Sequence, residues 1–450
     1  MKTNIFEEKN INKAVLKIGL PAMLAQLATL IYNLADTYFV SLTHDSAQIA
    51  AVTLCTPVLL IIMSIACIFG IGGSSLISRL IGEGDTKKAS RCLNFCTYAM
   101  IASGVIILVL GMLFANPIAR IIGADESTFD FTVAYLRWIF IGAPAIMLAN
   151  GFAHLFRSMG FVKEATVGII LGNVVNCILD WLFIVVFKWG TMGAAFATSL
   201  GFTCGTLYYL AILLINHIKK NELINISPKD FRVEKIMVLN VIKIGIPGAL
   251  MTVLLSISNI VLNNFISIYG SESVAAYGIA YKIDMFPILL SVGLAQGTCP
   301  LLGFYYGKKD KDNLSKVMKA GSFYDVVLGA VLMVLILIGN RFFASLFSND
   351  ESLISTTSRF LVLLCWHAPI IGILNMFSSY FQALGKAGHS LAITLLRNVG
   401  LFIPGIIVMN ALFQLTGVIL NQFVVEVIMT VVSLILYLGA RPGKLIKVEA

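Results

Sequence analysis

Residues 92–115 read CLNFCTYAMIASGVIILVLGMLFA, an apolar run without one charged side chain. About 20 such residues, wound as a helix, cross the hydrocarbon of a bilayer. Strands of a membrane barrel would instead alternate over about ten residues, so this run reads as a spanning helix. Working outward, runs of the same kind place twelve spans near 18–41, 50–78, 92–115, 131–156, 165–187, 192–215, 240–267, 275–303, 317–339, 357–381, 390–410 and 416–438. Of the 450 residues 58% are hydrophobic and only 12% charged, whereas soluble domains carry about 25% charged residues. The first span follows a basic segment but is too long and too poor in small residues at its end for a cleaved signal, and it is expected to be retained. The fold class is an all-α membrane protein.

The formal net charge of +9 raises the question of a nucleic-acid partner. Alternating the twelve helices answers it. Lys2, Lys9, Lys13 and Lys17, then Arg79, Lys87, Lys88 and Arg91, then Arg157 and Lys163 fall on one face. So do Lys219, Lys220, Lys229, Arg232 and Lys235, then Lys308, Lys309, Lys311 and Lys316, then Lys386, and finally Arg441, Lys444 and Lys447. The opposite loops hold little besides Arg120, Lys188 and Arg341. By the positive-inside rule both termini are cytoplasmic, the charge is topological, and no nucleic-acid partner is implied. All eight cysteines lie in or beside apolar spans, where Cys behaves as a small hydrophobe. Cys92 and Cys96 share a helical face, but no His or carboxylate cluster accompanies them, so no metal site is expected there.

Sliding the chain against itself by 225 or 226 positions aligns it with itself from end to end. Lys17-Ile-Gly-Leu-Pro21 meets Lys243-Ile-Gly-Ile-Pro247, Gly82 and Asp85 meet Gly307 and Asp310, and Asp125-Glu126-Ser127 meets Asp350-Glu351-Ser352. Ala143-Pro144 meets Ala368-Pro369, Phe156 and Gly160 meet Phe381 and Gly385, and Asn173-Val174 meets Asn398-Val399. A repeat of this length outranks any single motif. Six spans per copy is an even number, so the copies are parallel, related by a pseudo-two-fold axis along the membrane normal. The expected organisation is a first lobe over residues 1–215, a connector over 216–239 containing Pro228, and a second lobe over 240–450. Two lobes on one tether suit rocking about a central cavity.

A carboxylate at a helix centre costs roughly 2.5–3.5 kcal/mol on insertion scales, so the few intramembrane acids are candidates for function. Asp36 in the first span and Asp180 in the fifth lie about six residues from the outer end of their helices, roughly 10 Å below the surface. Thr198, in the sixth span, lies at a similar depth. Asn173, Asn176 and Asp180 follow i, i+3, i+7 spacing and form one polar stripe. Two carboxylates, an amide and a hydroxyl offer oxygens suited to a hard monovalent cation and, being buried, to proton exchange. The plainer alternative is a hydrogen-bond network that pins helices together. The second copy has Leu262 and Gly405 where the repeat would place Asp36 and Asp180. It carries Lys282, Asp284, Asp325 and Glu426 instead, each a cavity-lining group for a cationic substrate or one half of a structural pair. Asn33, Asn173, Asp284 and Glu426 are the candidate supporting or substrate-cavity groups. His154 reads as a buried structural residue, and Arg397 as snorkelling or paired.

Taken in order, these segments resemble the multidrug and toxic compound extrusion (MATE) transporters over nearly the whole chain. The resemblance is carried by LPAML and IPGAL at the start of spans one and seven, YNLAD (32–36), LIGEGD (80–85), FRSMG (156–160), NCILD (176–180) and GAAFAT (193–198). It implies two six-helix lobes, alternating access, and export of organic, often cationic or amphipathic compounds in exchange for Na⁺ or H⁺, with no other cofactor. It further implies that Asp36, Asn176, Asp180 and Thr198 form the coupling-ion site, in a monomer in the cytoplasmic membrane of a bacterium. Another branch of the family uses a seventh-helix glutamate; Leu255 stands at the position aligned with it, so a second-lobe ion site of that type is not expected. A flippase for a lipid-linked or amphipathic metabolite is the alternative, disfavoured by twelve spans and first-lobe acids. An intramembrane enzyme would need a metal-binding H-E-x-x-H pair or a nucleophile with its base, and neither is found.

Overall fold

The computed structural model describes residues 5–219, 223–224 and 234–448. Lys2, Lys220, Pro228, Lys229 and Arg232 lie outside the described residues, as does the side chain of Lys447. The described chain is helical throughout. In order, the helices are α1 (Ile11–Ser41), α2 (Ser46–Glu83), α3 (Thr86–Ile121), α4 (Phe129–Ser158), α5 (Val162–Asp180), α6 (Gly190–Ile218) and α7 (Lys235–Ser267). They continue as α8 (Ser271–Gly307), α9 (Lys311–Ser345), α10 (Glu351–Leu364), α11 (Ala368–Ala383), α12 (Ala387–Leu395), α13 (Phe402–Gly439) and α14 (Pro442–Val448). A π-helical turn, Trp181–Val186, extends α5, and another, Leu396–Gly400, joins α12 to α13. The 3₁₀ turn Cys365–His367 joins α10 to α11.

Eleven of these helical runs among the described residues are long and apolar enough to cross a membrane. The difference from the expected twelve is physical. Spans eleven and twelve fall in one helical run that reverses at Gln414, whose φ of 51° and ψ of −138° leave the helical region. The turn falls within 411–415, the break expected between the spans at 390–410 and 416–438, although that break carries no Gly, Pro or charge. Asn421 Nδ2 donates to the Phe402 carbonyl at 3.1 Å across the antiparallel return.

The chain forms two compact units, one of Leu27–Ala249 and one of Met1–Gln26 with Leu250–Ala450. In the first, α4 is the central rod, packed against α2, α3, α5 and α6. Small residues let the backbones meet: a Cβ on Gly104 would lie 2.6 Å from Pro144 Cα, and one on Gly142 would lie 2.4 Å from Ser199 Oγ. In the second, the rod formed by α10 and α11 is central and packs on α8, α9 and α13. Each unit also takes in the leading half of a helix from the other sequence repeat. Within the first, a Cβ on Gly245 of α7 would lie 2.0 Å from the Ile68 carbonyl oxygen of α2. Within the second, a Cβ on Gly297 of α8 would lie 3.0 Å from Ala22 Cβ of α1.

Of the loop acids kept by the repeat, Asp85, Asp310 and Asp350 are helix N-caps, and Asp125 orders the turn that leads into α4. Asp85 accepts from the Lys88 backbone N–H at 2.9 Å and Asp310 from that of Asn313 at 3.0 Å. Asp350 accepts from Ser352 N at 3.0 Å, and Asp125 from Thr128 N at 2.9 Å. At the three N-caps these N–H groups have no helical acceptor of their own, which is why a side-chain oxygen is placed there.

Two outcomes follow from this packing. Gly245→Ala should lower the thermal unfolding midpoint in detergent, since overpacking a tight helix contact costs about 1–3 kcal/mol. Gly278→Ala, with nothing within 4 Å of the added Cβ, should leave it unchanged or raise it. The backbone N–H and then the side chain of Lys88 hold the Asp85 carboxyl below the ordinary carboxylate range. Its contribution is present at neutral pH and is lost as pH falls through the lowered value. Asp85→Ala should therefore lower the midpoint at neutral pH, and the gap from wild type should close in acid.

Candidate functional site

Four helices of the unit Leu27–Ala249 deliver polar groups to one place. α1 supplies Tyr32 and Asp36, which share a face at i, i+4. α4 supplies Tyr135, α5 supplies Asn173, Asn176 and Asp180, and α6 supplies Thr198. Asn176, Asp180 and Thr198 are buried. The carboxyl groups of Asp36 and Asp180 lie within hydrogen-bonding reach of one another. Asn176 Nδ2 donates to Thr198 Oγ1 at 3.3 Å, and the Tyr32 hydroxyl reaches the same threonine. Asn173 Nδ2 donates to Thr29 Oγ1 at 3.2 Å.

Local sequence explains the approach of α5 to α6. A Cβ on Gly201 would lie 2.8 Å from Asn176 Cβ, and one on Gly172 would lie 3.0 Å from the Gly201 carbonyl oxygen. With glycine at both positions, Asn176 comes within reach of Thr198. A cavity of about 10 Å³ remains, lined by Tyr32, Gly172, Asn173, Asn176, Thr198 and Phe202, close to the least volume that holds one water. Directly after Asp180, α5 passes into its π-helical turn, a feature common at functional sites because it re-aims the side chains beyond it.

The oxygens of this cluster outnumber its donors. Asp36 Oδ1, both carboxylate oxygens of Asp180 and Asn176 Oδ1 are buried and accept no hydrogen bond. A buried carboxylate without a partner is costly. Two occupants would relieve it: a proton held between the two acids, or a hard cation, which takes oxygen ligands of this kind.

The four residues expected to act together are thus brought together. Asn173 lines the cavity beside them. Asn33 is exposed, its backbone carbonyl accepting from Thr37 Oγ1 at 2.9 Å. Sequence reading misses Tyr32 and Tyr135; for Tyr32 the available signal is its spacing of four from Asp36. Asp284 and Glu426 lie in the other unit, in a buried network through His367 and Arg397. Lys282, two positions before Asp284, is exposed and takes no part in it.

Comparison with known proteins fits this geometry. The MatE family model matches twice, over residues 21–182 and 247–408, the second match displaced from the first by 226 residues. The chain is 30% identical over 434 residues to the multidrug export protein MepA of Staphylococcus saprophyticus, covering 96% of this chain and 95% of that one. Among solved structures, a MATE protein in complex with MaL6 superposes with a TM-score of 0.93 at 24% identity, covering 99% of this chain and 100% of the other. A multidrug resistance MATE family transporter of the MOP superfamily, in an outward-facing conformation, gives 0.93 at 24% identity, with 99% of both chains covered. The double match, on a helical scaffold whose two repeats were already visible in the sequence, shows that the chain belongs to the MatE family of membrane transporters.

Proposed function

We propose that this chain exports organic, drug-like compounds from a bacterial cell in exchange for Na⁺ or H⁺, with the coupling ion held by Asp36, Asn176, Asp180 and Thr198. The observation that carries the reading is the pair of facing carboxyl groups, Asp36 and Asp180, with buried oxygens that no protein donor meets. Its membership of the MatE family makes it a transporter and not an enzyme, and its similarity to proteins named for multidrug export supports the substrate class.

The proposed cycle is alternating access. An ion entering from outside neutralises the acid pair and stabilises the state that releases substrate outside; ion release to the cytoplasm resets the carrier. Such coupling needs only that ion and substrate prefer different states or compete for one, and it is reciprocal. Substrates are expected to be cationic or amphipathic, the working unit a monomer, and both termini cytoplasmic, as the basic loops suggest.

The test is transport in proteoliposomes with a Na⁺ gradient and a pH gradient imposed separately. Asp36→Asn and Asp180→Asn should each slow gradient-driven efflux at least tenfold, about 1.4 kcal/mol or more of coupling, while inserting normally. Removing Na⁺ at constant pH should abolish transport if Na⁺ is the ion and leave it intact if H⁺ is. Undiminished gradient-driven efflux in both variants would sink the assignment.

A further inference from the structure

The unit of Met1–Gln26 with Leu250–Ala450 buries a charged network that the coupling site does not use. His367 sits in the 3₁₀ turn between α10 and α11 and is fully buried. Its Nε2 lies 2.9 and 2.8 Å from the two carboxylate oxygens of Asp284 on α8. Its Nδ1 lies 3.1 Å from Glu426 Oε2 on α13. Arg397, on the π-helical turn after α12, donates through Nη2 to Glu426 Oε1 at 2.9 Å, and Gln422 Nε2 donates to the same oxygen at 2.7 Å.

A neutral imidazole has one N–H and one lone pair. Here both ring nitrogens face carboxylate oxygens at hydrogen-bonding distance, so a neutral ring would turn its lone pair on one of them. The arrangement is satisfied only when it holds one more proton, as an imidazolium or on one of the two acids. With that proton, Asp284, Glu426, His367 and Arg397 carry no net charge; without it, one negative charge is buried. Both ring nitrogens stand at hydrogen-bond distance, 2.8 to 3.1 Å, directly against carboxylate oxygens, so the charge that balances the network is a proton shared between them.

The elements around this turn hold few other titratable groups. α8 adds Tyr277 and Tyr281, the turn itself adds Cys365, α11 faces it with the neutral Asn375, and α9 presents Asp325, packed against Gly372. The network is not required for the helices to pack. In the first repeat, 225 positions earlier, His367 and Arg397 correspond to Gly142 and Gly172, which close the same helix contacts against Ser199 and Gly201. Buried ion networks are seldom a net gain in stability, and ionisable groups inside a membrane are candidates for function. The backbone at the network is also irregular, with a 3₁₀ turn at His367 and a π turn at Arg397.

From this geometry we propose that His367, bridged between Asp284 and Glu426, is a second proton-binding site of this transporter, loaded in the state described and emptied during the transport cycle. On emptying, the proton leaves a ring nitrogen or a carboxyl for water, and the net charge left behind drives α8, α10 and α13 to repack or admit water. The proposal rests on the chain being a transporter and not on the assignment of Asp36 and Asp180.

The test uses the full chain in lipid vesicles, labelled with ¹⁵N at its five histidines, read by solid-state NMR between about pH 5 and 9. Ethidium serves as the probe substrate. The double variant His367→Gln with Glu426→Gln identifies the His367 signals and keeps the summed charge of the four positions at zero, Asp284 against Arg397. Both nitrogens of His367 should be protonated or hydrogen-bonded to a protonated acid at low pH, and the signal should change on raising the pH or adding ethidium. Proton release on adding ethidium, followed with a pH-indicator dye, should fall by about one proton per protein in the double variant. It should persist in Asp36→Asn with Asp180→Asn, whatever that variant does to efflux. A His367 signal unchanged by pH and by ethidium, or equal proton release from wild type and the double variant, would overturn the proposal and make the network a static pin.

Discussion

A carboxylate inside a bundle of membrane helices gets no help from the backbone. Every N–H within a helix is already committed to the carbonyl four residues back, and lipid supplies no donors. Its oxygens must be met by other side chains, by a proton or by a cation. The two units meet this constraint differently. Asp284 and Glu426 are answered by protein side chains, His367 and Arg397. Asp36 and Asp180 are answered by no donor, and the oxygen of Asn176 beside them is in the same condition. That difference separates a network that one added proton balances through its own cations from one whose oxygens meet no protein donor at all.

The scaffold that holds these acids is built from small residues. Helices with apolar surfaces gain little from lipid by associating, so close backbone approach supplies the attraction. Gly172 and Gly201 bring α5 and α6 together at Asn176, and Gly104 and Gly142 seat α4. The same logic governs the leading halves of α1 and α7, set into the faces of α8 and α2 at Gly297 and Gly245. Since the repeat relates Gly297 to Gly72 and Gly19 to Gly245, one packing solution is used twice.

Much of this was legible in the sequence because it is written in period and composition. Long apolar runs announce helices, a constant offset announces the repeat, and the acids kept at that offset prove to order helix starts, Asp85, Asp310 and Asp350 as N-caps and Asp125 in the turn before α4. The polar stripe on α5 follows from 3.6-residue spacing alone. What escaped depends on groups far apart in the chain or on turns without a residue signature. The two π turns have no compositional mark. Pairing of His367 with Asp284, 83 positions away, and with Glu426, 59 away, is a tertiary fact that periodicity cannot express. The packing of the leading halves of α1 and α7 with helices of the other repeat likewise follows from where Gly245 and Gly297 allow helices to meet.

The repeat also shows what duplication left free to change. A contact that one copy closes with Gly142 against Ser199 is occupied in the other by His367, and Gly172 gives way to Arg397. Exchanging a glycine for a large charged side chain in a packed helix contact cannot be neutral by itself, because the added volume must displace neighbours and the added charge must be paired. Asp284 and Glu426 provide the pairing, and the π turn at Arg397 and the 3₁₀ turn at His367 are the local departures from helical geometry found where the large side chains lie. The same duplication put Leu262 and Gly405 where the first copy has Asp36 and Asp180. Each copy therefore keeps its polar chemistry where the other is apolar or small, and the helical scaffold common to both tolerates either arrangement because its backbone hydrogen bonds are satisfied within each helix.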